Sequence, residues 1–323
     1  MQPCIGILLN SVCLVLLLQG CATVVREAEE AYIRVESDIT TSEIRITLDN
    51  SFIHAYKDRA TIGVMFTVDK ASESAKPAFL DGDFHMSGRA PEIGLPVVAE
   101  IKNAAFEKET LDLIRRFKET GEPIRISGAW RIWPEHVGSA EEVQGEELSG
   151  FDITNPDHVF EIHPVTHVKD KSILDSFRPV EGYKPGKANA VFQSYEDTKC
   201  RIIAEGKTTT IVTRKGAFND AEFIMEIAEN SQDIVRDGRF VNAEVLDLKG
   251  KLLVQRVRMV FVKDTPPEKI VRSLGRGDRL HVFGLPRIDL SAVAWRVNHS
   301  RDNPKILNLN LPYEIIIVGV YKD

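Results

Sequence analysis

The sequence predicts a mainly β protein with short helices, in which one kind of small Greek-key barrel is built twice in tandem. The first reason is a repeat, because residues 121–132 and 277–288 both read Gly-x-x-φ-x-φ-x-Gly-x-x-Arg-Ile, with φ aliphatic. Each copy follows a short amphipathic helix in the sequence, and further strands are predicted before that helix and after the copy. This order matches an OB-fold-like barrel, which has five strands and a helix between the third and fourth. The open alternative is two unrelated α+β units that match by chance.

Length and composition fit two globular domains of unequal charge. The chain has 323 residues, of which 43% are hydrophobic and 28% are charged, so it can build sizeable cores. The net charge of −7 argues against bulk, non-specific binding of nucleic acid. Residues 1–187 carry 20 Lys and Arg against 30 Asp and Glu, whereas residues 188–323 carry 21 against 18. The N-terminal part is therefore acidic and the C-terminal part slightly basic, but this difference in charge does not identify a binding partner.

The N-terminus resembles the signal peptide and lipobox of a bacterial lipoprotein. Residues 4–18 are almost wholly apolar, and the run ends in Leu18-Gln19-Gly20-Cys21. About fifteen apolar residues are too few to span a bilayer comfortably, so a cleaved signal is preferred to a transmembrane helix. One departure from the pattern is that residues 1–20 contain no Lys or Arg. The alternative is an uncleaved signal followed by a chance cysteine.

The resemblance implies that residues 1–20 are removed as a signal peptide and that lipid attaches the mature chain to a membrane. The Cys21 thiol would carry diacylglycerol and palmitate-like acyl chains, and each buried CH₂ adds about 0.8 kcal/mol to the anchoring. Ala22 follows the cysteine where Asp would retain a lipoprotein at the inner membrane, which favours the periplasmic face of the outer membrane in a Gram-negative cell. Residues 21–41 are then a polar tether. Cys200 is the remaining cysteine, expected to be buried in a strand.

The first barrel domain is predicted to span residues 42–168. Its helix covers residues 105–120, whose large apolar side chains fall on one helical face, and Gly121 stands at the C-terminal stop. Short apolar or alternating runs predict its strands at Glu43–Leu48, Thr61–Val68, the second part of Asp81–Gly88, Leu95–Ile101, Ile124–Trp133 and Val159–His163.

A linker containing Pro and Gly, residues 169–190, precedes a second barrel domain at residues 191–323. Residues 265–268 form a capping box that starts its helix. Gly284 matches Gly128 of the first domain, and both are expected where a barrel strand bends sharply. Apolar runs predict its strands at Cys200–Glu205, Thr208–Thr213, Glu222–Ile227, Phe240–Leu248, Arg256–Val262, Leu280–Leu285, Val293–Val297 and Glu314–Val320.

Three motifs make the first domain resemble a bacterial family of uncharacterised function. They are Asp81-Gly82-Asp83-x-His85, then Gly94-Leu95-Pro96-x-Val98-Ala99-Glu100-Ile101-x-Asn103-Ala104, and Asn155-Pro156-x-His158-x-Phe160-Glu161-Ile162-His163-Pro164-Val165. The resemblance covers residues 60–168 and implies no established activity. The second domain is loosely similar to the barrel of single-stranded DNA-binding proteins in its layout from Phe240 to Ile288, and a shared fold does not imply a shared function.

The first domain holds the richest set of polar side chains. Glu161 and His163 lie two positions apart in a strand, so both point to one face, and a closed barrel can bring Asp83 and His85 near them. Imidazole and carboxylate groups suit Zn²⁺ or another divalent metal, which can activate water. Candidate catalytic residues are therefore Asp83, His85, Glu161 and His163, and candidate metal ligands are Asp83, His85, His158 and His163. The favoured alternative is a structural hydrogen-bond network without a cofactor.

Five further side chains are candidates for ligand binding, namely Trp130, Arg131, Arg256, Arg258 and Arg287. Aromatic and guanidinium groups on a barrel face can stack on bases or sugar rings. Arg256 and Arg258 alternate with apolar residues and would give the second domain a basic face. Such a face suits an anionic glycan, a lipid headgroup or an oligonucleotide. The alternatives are tryptophans that belong to the core and a solvated face balanced by acidic neighbours.

These observations favour a non-enzymatic, membrane-anchored lipoprotein that binds a ligand or acts as a scaffold in the periplasm. The second hypothesis is a metal-dependent hydrolase using the Asp, His and Glu residues of the first domain. The third is nucleic-acid binding by the second domain, which export disfavours. The sequence contains neither a phosphate-binding Gly-x-x-x-x-Gly-Lys loop nor a Gly-x-Ser-x-Gly nucleophile elbow.

Overall fold

Two closed five-stranded barrels account for most of the fold, which confirms the predicted tandem of OB-like units. The structure is a computed structural model that describes residues 33–38, 42–93, 95–137, 154, 157–216, 218–301 and 305–322. In each barrel the third and fifth strands pair in parallel, and the other neighbouring strands are antiparallel. With a helix between the third and fourth strands, this is the OB arrangement.

Barrel 1 follows two strands and a helix, β1 (Ile33–Asp38), β2 (Glu43–Asp49) and α1 (Asn50–Tyr56). Its helix α2 (Lys108–Thr120) ends at Gly121, which adopts the left-handed conformation with φ 68° and so confirms the predicted stop. The barrel strands are β3 (Thr61–Ala71), β4 (Phe84–Ala90), β5 (Leu95–Ile101), β6 (Ile124–His136) and β7 (His158–Val168), and the two-residue strand β8 (Lys171–Ser172) extends the sheet beyond β7.

A third sheet, here called the composite sheet, was not predicted. Its strands come from three parts of the chain, in the order β1-β2-β10-β9-β16. Two of them lie before barrel 1, two lie between the barrels, and one is inserted into barrel 2. Helix α3 precedes the middle strands. The elements not yet named are α3 (Ala188–Asp197), β9 (Lys199–Glu205), β10 (Thr208–Arg214) and β16 (Lys305–Asn310).

Two segments expected to be irregular are therefore ordered parts of the fold. Residues 33–38, placed in the tether by the sequence, form β1, because Ile33 and Val35 are buried while the strand pairs with β2. The predicted linker is also packed, since its apolar side chains Ile173, Phe177 and Val180 are buried. The sequence did not predict this packing, because the buried apolar residues are separated by polar residues and prolines. The remainder of the tether, the signal peptide and Cys21 lie outside the described residues.

Barrel 2 repeats the strand order of barrel 1. The predicted N-cap is confirmed, since Thr265 accepts a hydrogen bond from the Glu268 backbone N–H, but the Glu268 carboxylate completes the capping box only approximately, because it accepts from the N–H of Asp264 at 3.1 Å and not from that of Thr265. Helix α4 (Pro266–Val271) ends before the expected Gly275. The strands are β11 (Ala221–Ile227), β12 (Asp233–Val235), β13 (Gly238–Leu246), β14 (Leu252–Val262), β15 (Arg279–Ile288) and β17 (Tyr313–Val320), of which β12 lies outside the closed barrel.

The strand predicted at Val293–Val297 is wrong, because helix α5 (Leu290–His299) occupies this segment. The Asp289 carboxylate caps it by accepting a hydrogen bond from the Ala292 N–H at 2.9 Å. Leu290 and Val293, three positions apart, are buried, whereas Trp295 is exposed. The burial therefore has a helical period, although Val293, Trp295 and Val297 alternate like a strand in the sequence.

The two echoed glycines hold equivalent positions in β6 and β15. Each pairs with the first strand of its barrel and lies beside a register shift against the fifth strand. A Cβ atom on Gly128 would lie 2.6 Å from Cγ2 of Ile162, and one on Gly284 would lie 2.4 Å from Cγ2 of Ile315. Only glycine allows such close approach of the strands, so the repeat in the sequence corresponds to a repeat in structure.

The barrels pack against each other through a small hydrophobic cluster. Gly238 of β13 lies so close to barrel 1 that a Cβ atom there would be 2.7 Å from the Cβ atom of Ala60. The cluster takes small residues from barrel 1, one residue from the segment between the barrels and large residues from barrel 2. Its members are Ala60, Ala129, Phe177, Phe240, Val260, Val262, Phe283, Leu285, Ile316 and Val318.

Candidate functional site

The polar residues predicted as a site converge on the outer face of barrel 1. Phe84, Phe160 and Ile162 point into the hydrophobic core, so the alternating residues of β4 and β7 point outwards. We call the resulting group the buried polar cluster, since each member has at most 5% of its surface exposed. Its members are Asp83, His85, Glu100, Lys102, His158, Glu161 and His163.

The cluster is buried because other parts of the chain cover this face. Tyr183 from the segment between the barrels, Asp220 and Leu285 of barrel 2 line a small cavity of about 40 Å³ together with cluster residues. The covered face lies over the second and third strands, β4 and β5, where OB folds bind ligands. In barrel 1 this face is closed by the protein itself.

His163 lies at the centre of the cluster, between three carboxylates. Its Nδ1 atom is 3.3 Å from Oε2 of Glu100 and 3.4 Å from Oε1 of Glu161, and its Nε2 atom is 3.6 Å from Oδ2 of Asp83. None of these contacts has hydrogen-bond geometry, and within the described residues both ring nitrogens lack a hydrogen-bond partner. His85 adds a second imidazole, with Nε2 at 3.5 Å from Oε2 of Glu100.

Two cations balance part of this negative charge. Nζ of Lys102 donates a hydrogen bond to Oδ2 of Asp83 at 3.0 Å, and Arg131 pairs with Glu161, whose other oxygen lies 3.0 Å from Nε2 of His158. Burial acts to lower the pKa of Lys102, but the Asp83 carboxylate outweighs it and raises that pKa. Asp83 and Glu161 are therefore engaged by basic groups.

Glu100 differs from its neighbours, because among the described residues its ion-pair contacts are with histidine alone. Burial and the nearby Glu161 raise the pKa of Glu100 well above its usual range. Burial and the charge on Lys76 lower the pKa of His85 to about 3, so its imidazole is neutral near pH 7. The cluster therefore contains one carboxyl group that strongly favours a proton or another cation beside it.

The structure thus brings together all five residues that the sequence selected as catalytic or metal-binding candidates in the first domain. Two members were not selected, Glu100 and Lys102, although both stand in the outward positions of β5 or just after it. The signal for Glu100 was available, since it interrupts the apolar run of β5 with a carboxylate. Catalysis and metal binding by these residues remain predictions.

Arg131 and Arg287 occupy matching places in the repeat and are both fully buried between the barrels. Nε of Arg131 donates to the carbonyl oxygen of Pro286 at 2.7 Å, and Nη1 of Arg287 donates to the carbonyl oxygen of Trp130 at 3.0 Å. Each arginine therefore bonds the residue that precedes the other arginine. These two equivalent bonds give the interface between the barrels approximate two-fold symmetry.

Each buried arginine also pairs with a glutamate of the fifth strand in its own barrel. Arg131 bonds Glu161, and Nε of Arg287 donates to Oε1 of Glu314 at 2.6 Å. The guanidinium of Arg287 lies 3.6 Å from the centroid of the Trp130 ring. All three predicted ligand-binding residues of this region, Trp130, Arg131 and Arg287, are thus engaged inside the protein, which corrects their assignment to a ligand-facing surface.

The other two predicted ligand-binding residues, Arg256 and Arg258, line a groove on barrel 2 with a volume of about 750 Å³. The groove lies over the second and third barrel strands, β13 and β14, and is bordered by α5. The guanidinium of Arg258 stacks on Phe240 at 3.7 Å from the ring centroid and lies 3.6 Å from Oδ1 of Asp289. The polar and aromatic residues of the groove are Asp58, Asp233, Phe240, Asn242, Arg256, Arg258, Asp289, Ser291, Trp295 and Arg296.

Trp295 is the groove residue that sequence reasoning missed. It is 62% exposed and stacks on His299 with ring centroids 4.3 Å apart. Trp130 and Trp133, by contrast, are buried. The incorrect prediction of a strand over this segment concealed Trp295, because a strand would have placed it beside core residues. An exposed tryptophan next to arginines is a suitable surface for stacking a planar or ring-shaped ligand.

A larger, open groove of about 960 Å³ lies on the composite sheet near the end of α3. Several polar groups along it already contact each other, as Lys199 does with Asn310 and Thr213 with the Lys199 carbonyl oxygen. Cys200 also lines this groove, is itself buried as predicted, and has its pKa raised to about 11 by burial. These features mark the groove as a less specific surface than the one on barrel 2.

No family model matches the chain, and no curated protein matches it. Among solved structures, a deletion mutant of the single-stranded DNA binding protein from Thermus aquaticus is similar at 9% identity, over 91% of this chain and 89% of that chain, with a TM-score of 0.21. A similarity this low supports no argument about function, and the OB assignment rests on strand order alone. Within the described residues, no helix has both the length and the apolar character needed to cross a membrane.

Proposed function

We propose that the chain is a non-enzymatic binding protein whose barrel 2 groove takes an uncharged oligosaccharide. The composition of the groove carries this proposal, because the exposed Trp295 stands among three arginines and three aspartates. An indole ring stacks on the apolar face of a sugar, while carboxylates accept and guanidinium groups donate hydrogen bonds to its hydroxyls. The groove also lies on the face where OB folds bind oligosaccharides and oligonucleotides.

The groove is held in shape before any ligand arrives. Arg258 is fixed by the ring of Phe240 and by carboxylates, with Nε at 3.4 Å from Oε2 of Glu314 and Nη2 at 3.4 Å from Oδ1 of Asp58. Asp289 is fixed by its bond to the N-terminus of α5. Side chains that are already ordered lose less entropy on binding, which favours recognition of a polar ligand.

The balance of charge separates a saccharide from a nucleic acid. Asp58, Asp233 and Asp289 offset Arg256, Arg258 and Arg296, so the groove has no formal net charge. Nucleic-acid grooves are strongly basic, since they must neutralise phosphates. The three carboxylates would repel a phosphate backbone, which makes nucleic-acid binding by barrel 2 the less favoured alternative.

Hydrolysis by Asp83, His85, Glu161 and His163 is also less favoured. These side chains are at most 5% exposed, and the adjacent cavity of about 40 Å³ is far smaller than a substrate pocket. A cavity of that size has room for water but not for the substrate of a hydrolase. The cluster therefore lacks the access that catalysis requires.

The test screens the purified full-length chain on an array of neutral and acidic oligosaccharides, with oligothymidylate as the nucleic-acid probe. We expect retention of neutral glycans and a change in tryptophan fluorescence, which reports Trp295 because Trp130 and Trp133 are buried. Trp295→Ala should weaken binding about tenfold or more through loss of stacking. The matched control is Phe106→Ala, which removes another exposed aromatic side chain, 71% exposed, in barrel 1.

Two outcomes of this screen would contradict the saccharide proposal. One is the absence of binding to every neutral glycan on the array. The other is tighter binding of oligothymidylate than of any glycan, with an affinity that falls steeply as salt rises, as phosphate contacts require. An unchanged affinity of Trp295→Ala would remove the groove as the binding site.

We also propose that lipid at Cys21 attaches this binding protein to a membrane, with the barrels in the periplasm. The support is the resemblance of residues 4–21 to a lipobox. We expect Cys21→Ser to lose incorporation of labelled palmitate and to leave the membrane fraction of the cell. Cys200→Ser is the matched control, since Cys200 is buried in β9. Unchanged labelling of the Cys21 variant would refute the anchor.

A further inference from the structure

We infer that the buried polar cluster of barrel 1 binds one divalent transition-metal ion, of the Zn²⁺ or Mn²⁺ class, between Asp83, Glu100 and His163. One potential ligand atom from each of these residues lies within 4.8 Å of those of the other two. The site is distinct from the groove on barrel 2. Its role is structural, and it does not depend on the identity of the ligand in that groove.

The first argument is that these residues carry buried polar atoms without hydrogen-bond partners. Within the described part of the chain, the unpartnered atoms are Oδ1 of Asp83, Oε1 of Glu100 and both ring nitrogens of His163. The three residues are at most 3% exposed. Burying a polar atom without a partner is unfavourable, and native proteins seldom tolerate several in one place. A metal ion would engage an atom of all three residues at once.

The second argument is the charge around Glu100. Lys102 donates to Asp83, and Arg131 pairs with Glu161, so these two carboxylates have their own cations. Glu100 has two imidazoles near it, those of His85 at 3.5 Å and His163 at 3.3 Å. A divalent ion supplies positive charge at this point. The competing source is a proton on Glu100 or His163, and the experiment below separates the two.

The distances suit a small transition metal. Metal–ligand bonds of about 2.0–2.2 Å place neighbouring ligand atoms roughly 3–3.6 Å apart. The separation between Nδ1 of His163 and Oε2 of Glu100 is 3.3 Å, and that between Nε2 of His163 and Oδ2 of Asp83 is 3.6 Å. A single ion would use one of the two ring nitrogens, so only one of these distances would join two of its ligands, and the other carboxylate would turn towards the ion from within 4.8 Å. The imidazole ligand favours Zn²⁺ over Ca²⁺ and Mg²⁺, which prefer oxygen atoms, and the two carboxylates also suit Mn²⁺.

The position of the ligands indicates what the ion does for the fold. Asp83 immediately precedes β4, Glu100 lies on β5 and His163 lies on β7. Strands β5 and β7 form the parallel pair that closes barrel 1. An ion shared by these strands would link the two sides of the closure, and the cover over the cluster would slow its release.

The experiment uses the purified full-length chain, treated with a chelator, desalted and then incubated with zinc chloride. After gel filtration we expect about one equivalent of zinc per chain, as for a structural site, and a rise in Tm of about 5 °C from binding to the native state. Co²⁺ in place of Zn²⁺ should give d–d absorption bands typical of nitrogen and oxygen ligands. Absence of bound zinc in the wild-type chain would overturn the inference.

Two near-isosteric variants test which residues hold the ion. Glu100→Gln and His163→Gln should lose the zinc and the rise in Tm, whereas His54→Ala, which removes an exposed histidine on α1, should keep both. If a proton rather than a metal satisfies Glu100, Glu100→Gln will behave like the wild-type chain in metal content, and the inference fails. Should a variant not fold, the zinc content and Co²⁺ spectrum of the wild-type chain still decide the question.

Discussion

At the scale of single residues, the same Arg–Glu pair has been built into two different environments. Both oxygens of Glu161 are engaged, by Arg131 and His158, and the basic groups outweigh burial to hold the pKa of Glu161 well below its usual range. Oε2 of Glu314 has no hydrogen-bond partner among the described residues, and burial raises the pKa of Glu314 to about 7 despite Arg287. Equivalent residues therefore differ because their neighbours differ.

The buried Arg287 provides the first test of this interface. Its guanidinium bonds Glu314 and the carbonyl oxygens of Arg59, Ala60 and Trp130. We expect Arg287→Met to lower the free energy of unfolding by about 3–5 kcal/mol, because it leaves Oε1 of the buried Glu314 and three backbone carbonyl oxygens without their donor. The measurement is urea denaturation followed by circular dichroism.

Controls separate the lost charge pair from a general effect of the substitution. Arg116→Met changes an exposed arginine on α2 and should alter the free energy of unfolding by less than about 0.5 kcal/mol. Arg287→Met/Glu314→Leu removes both charges and should recover part of the loss, since the unpaired carboxylate is gone. An Arg287→Met chain as stable as wild type would show that Arg287 does not stabilise the contact between the barrels.

At the scale of elements, local patterns predicted the barrels well because the signals are confined to neighbouring residues. The N-cap at Thr265, the stop at Gly121 and the bends at Gly128 and Gly284 each depend on backbone geometry within a few positions. A second echo was also readable, since Phe160-Glu161-Ile162 and Tyr313-Glu314-Ile315 occupy the fifth strands. Together with Arg131 and Arg287, it would have predicted the paired charges.

Elements that depend on distant partners were not predictable in the same way. Strand β1 is ordered because it pairs with β2, and β16 joins β9, which precedes it by about a hundred residues. Helix α5 was misread because its residues alternate in hydrophobicity. The burial of the polar cluster was likewise not predictable, since Tyr183, which covers it, belongs to a segment with the composition of a linker, and Asp220 comes from the second domain. The sequence named most cluster residues but could not show that they are closed off.

At the scale of the whole molecule, the composite sheet makes the two barrels interdependent. Its strands come from before barrel 1, from between the barrels and from within barrel 2. Unfolding of either barrel therefore disturbs a sheet that is connected to the other barrel as well. The barrels also contact each other directly, through the reciprocal bonds of Arg131 and Arg287 and through the close approach of Gly238 to Ala60. The described residues accordingly form one compact unit.

This interdependence predicts that both barrels unfold in one cooperative transition, unlike domains joined by a flexible linker. In a Trp295→Phe chain, fluorescence reports the surroundings of β6, which carries Trp130 and Trp133, while circular dichroism reports the whole chain. The two signals should give the same urea midpoint, since coincident transitions mark two-state unfolding. Val271→Ala, which removes buried methyl groups from α4 of barrel 2, should shift both midpoints together. Separate midpoints, or a shift confined to circular dichroism, would mean that the barrels are independent and that the composite sheet does not couple them.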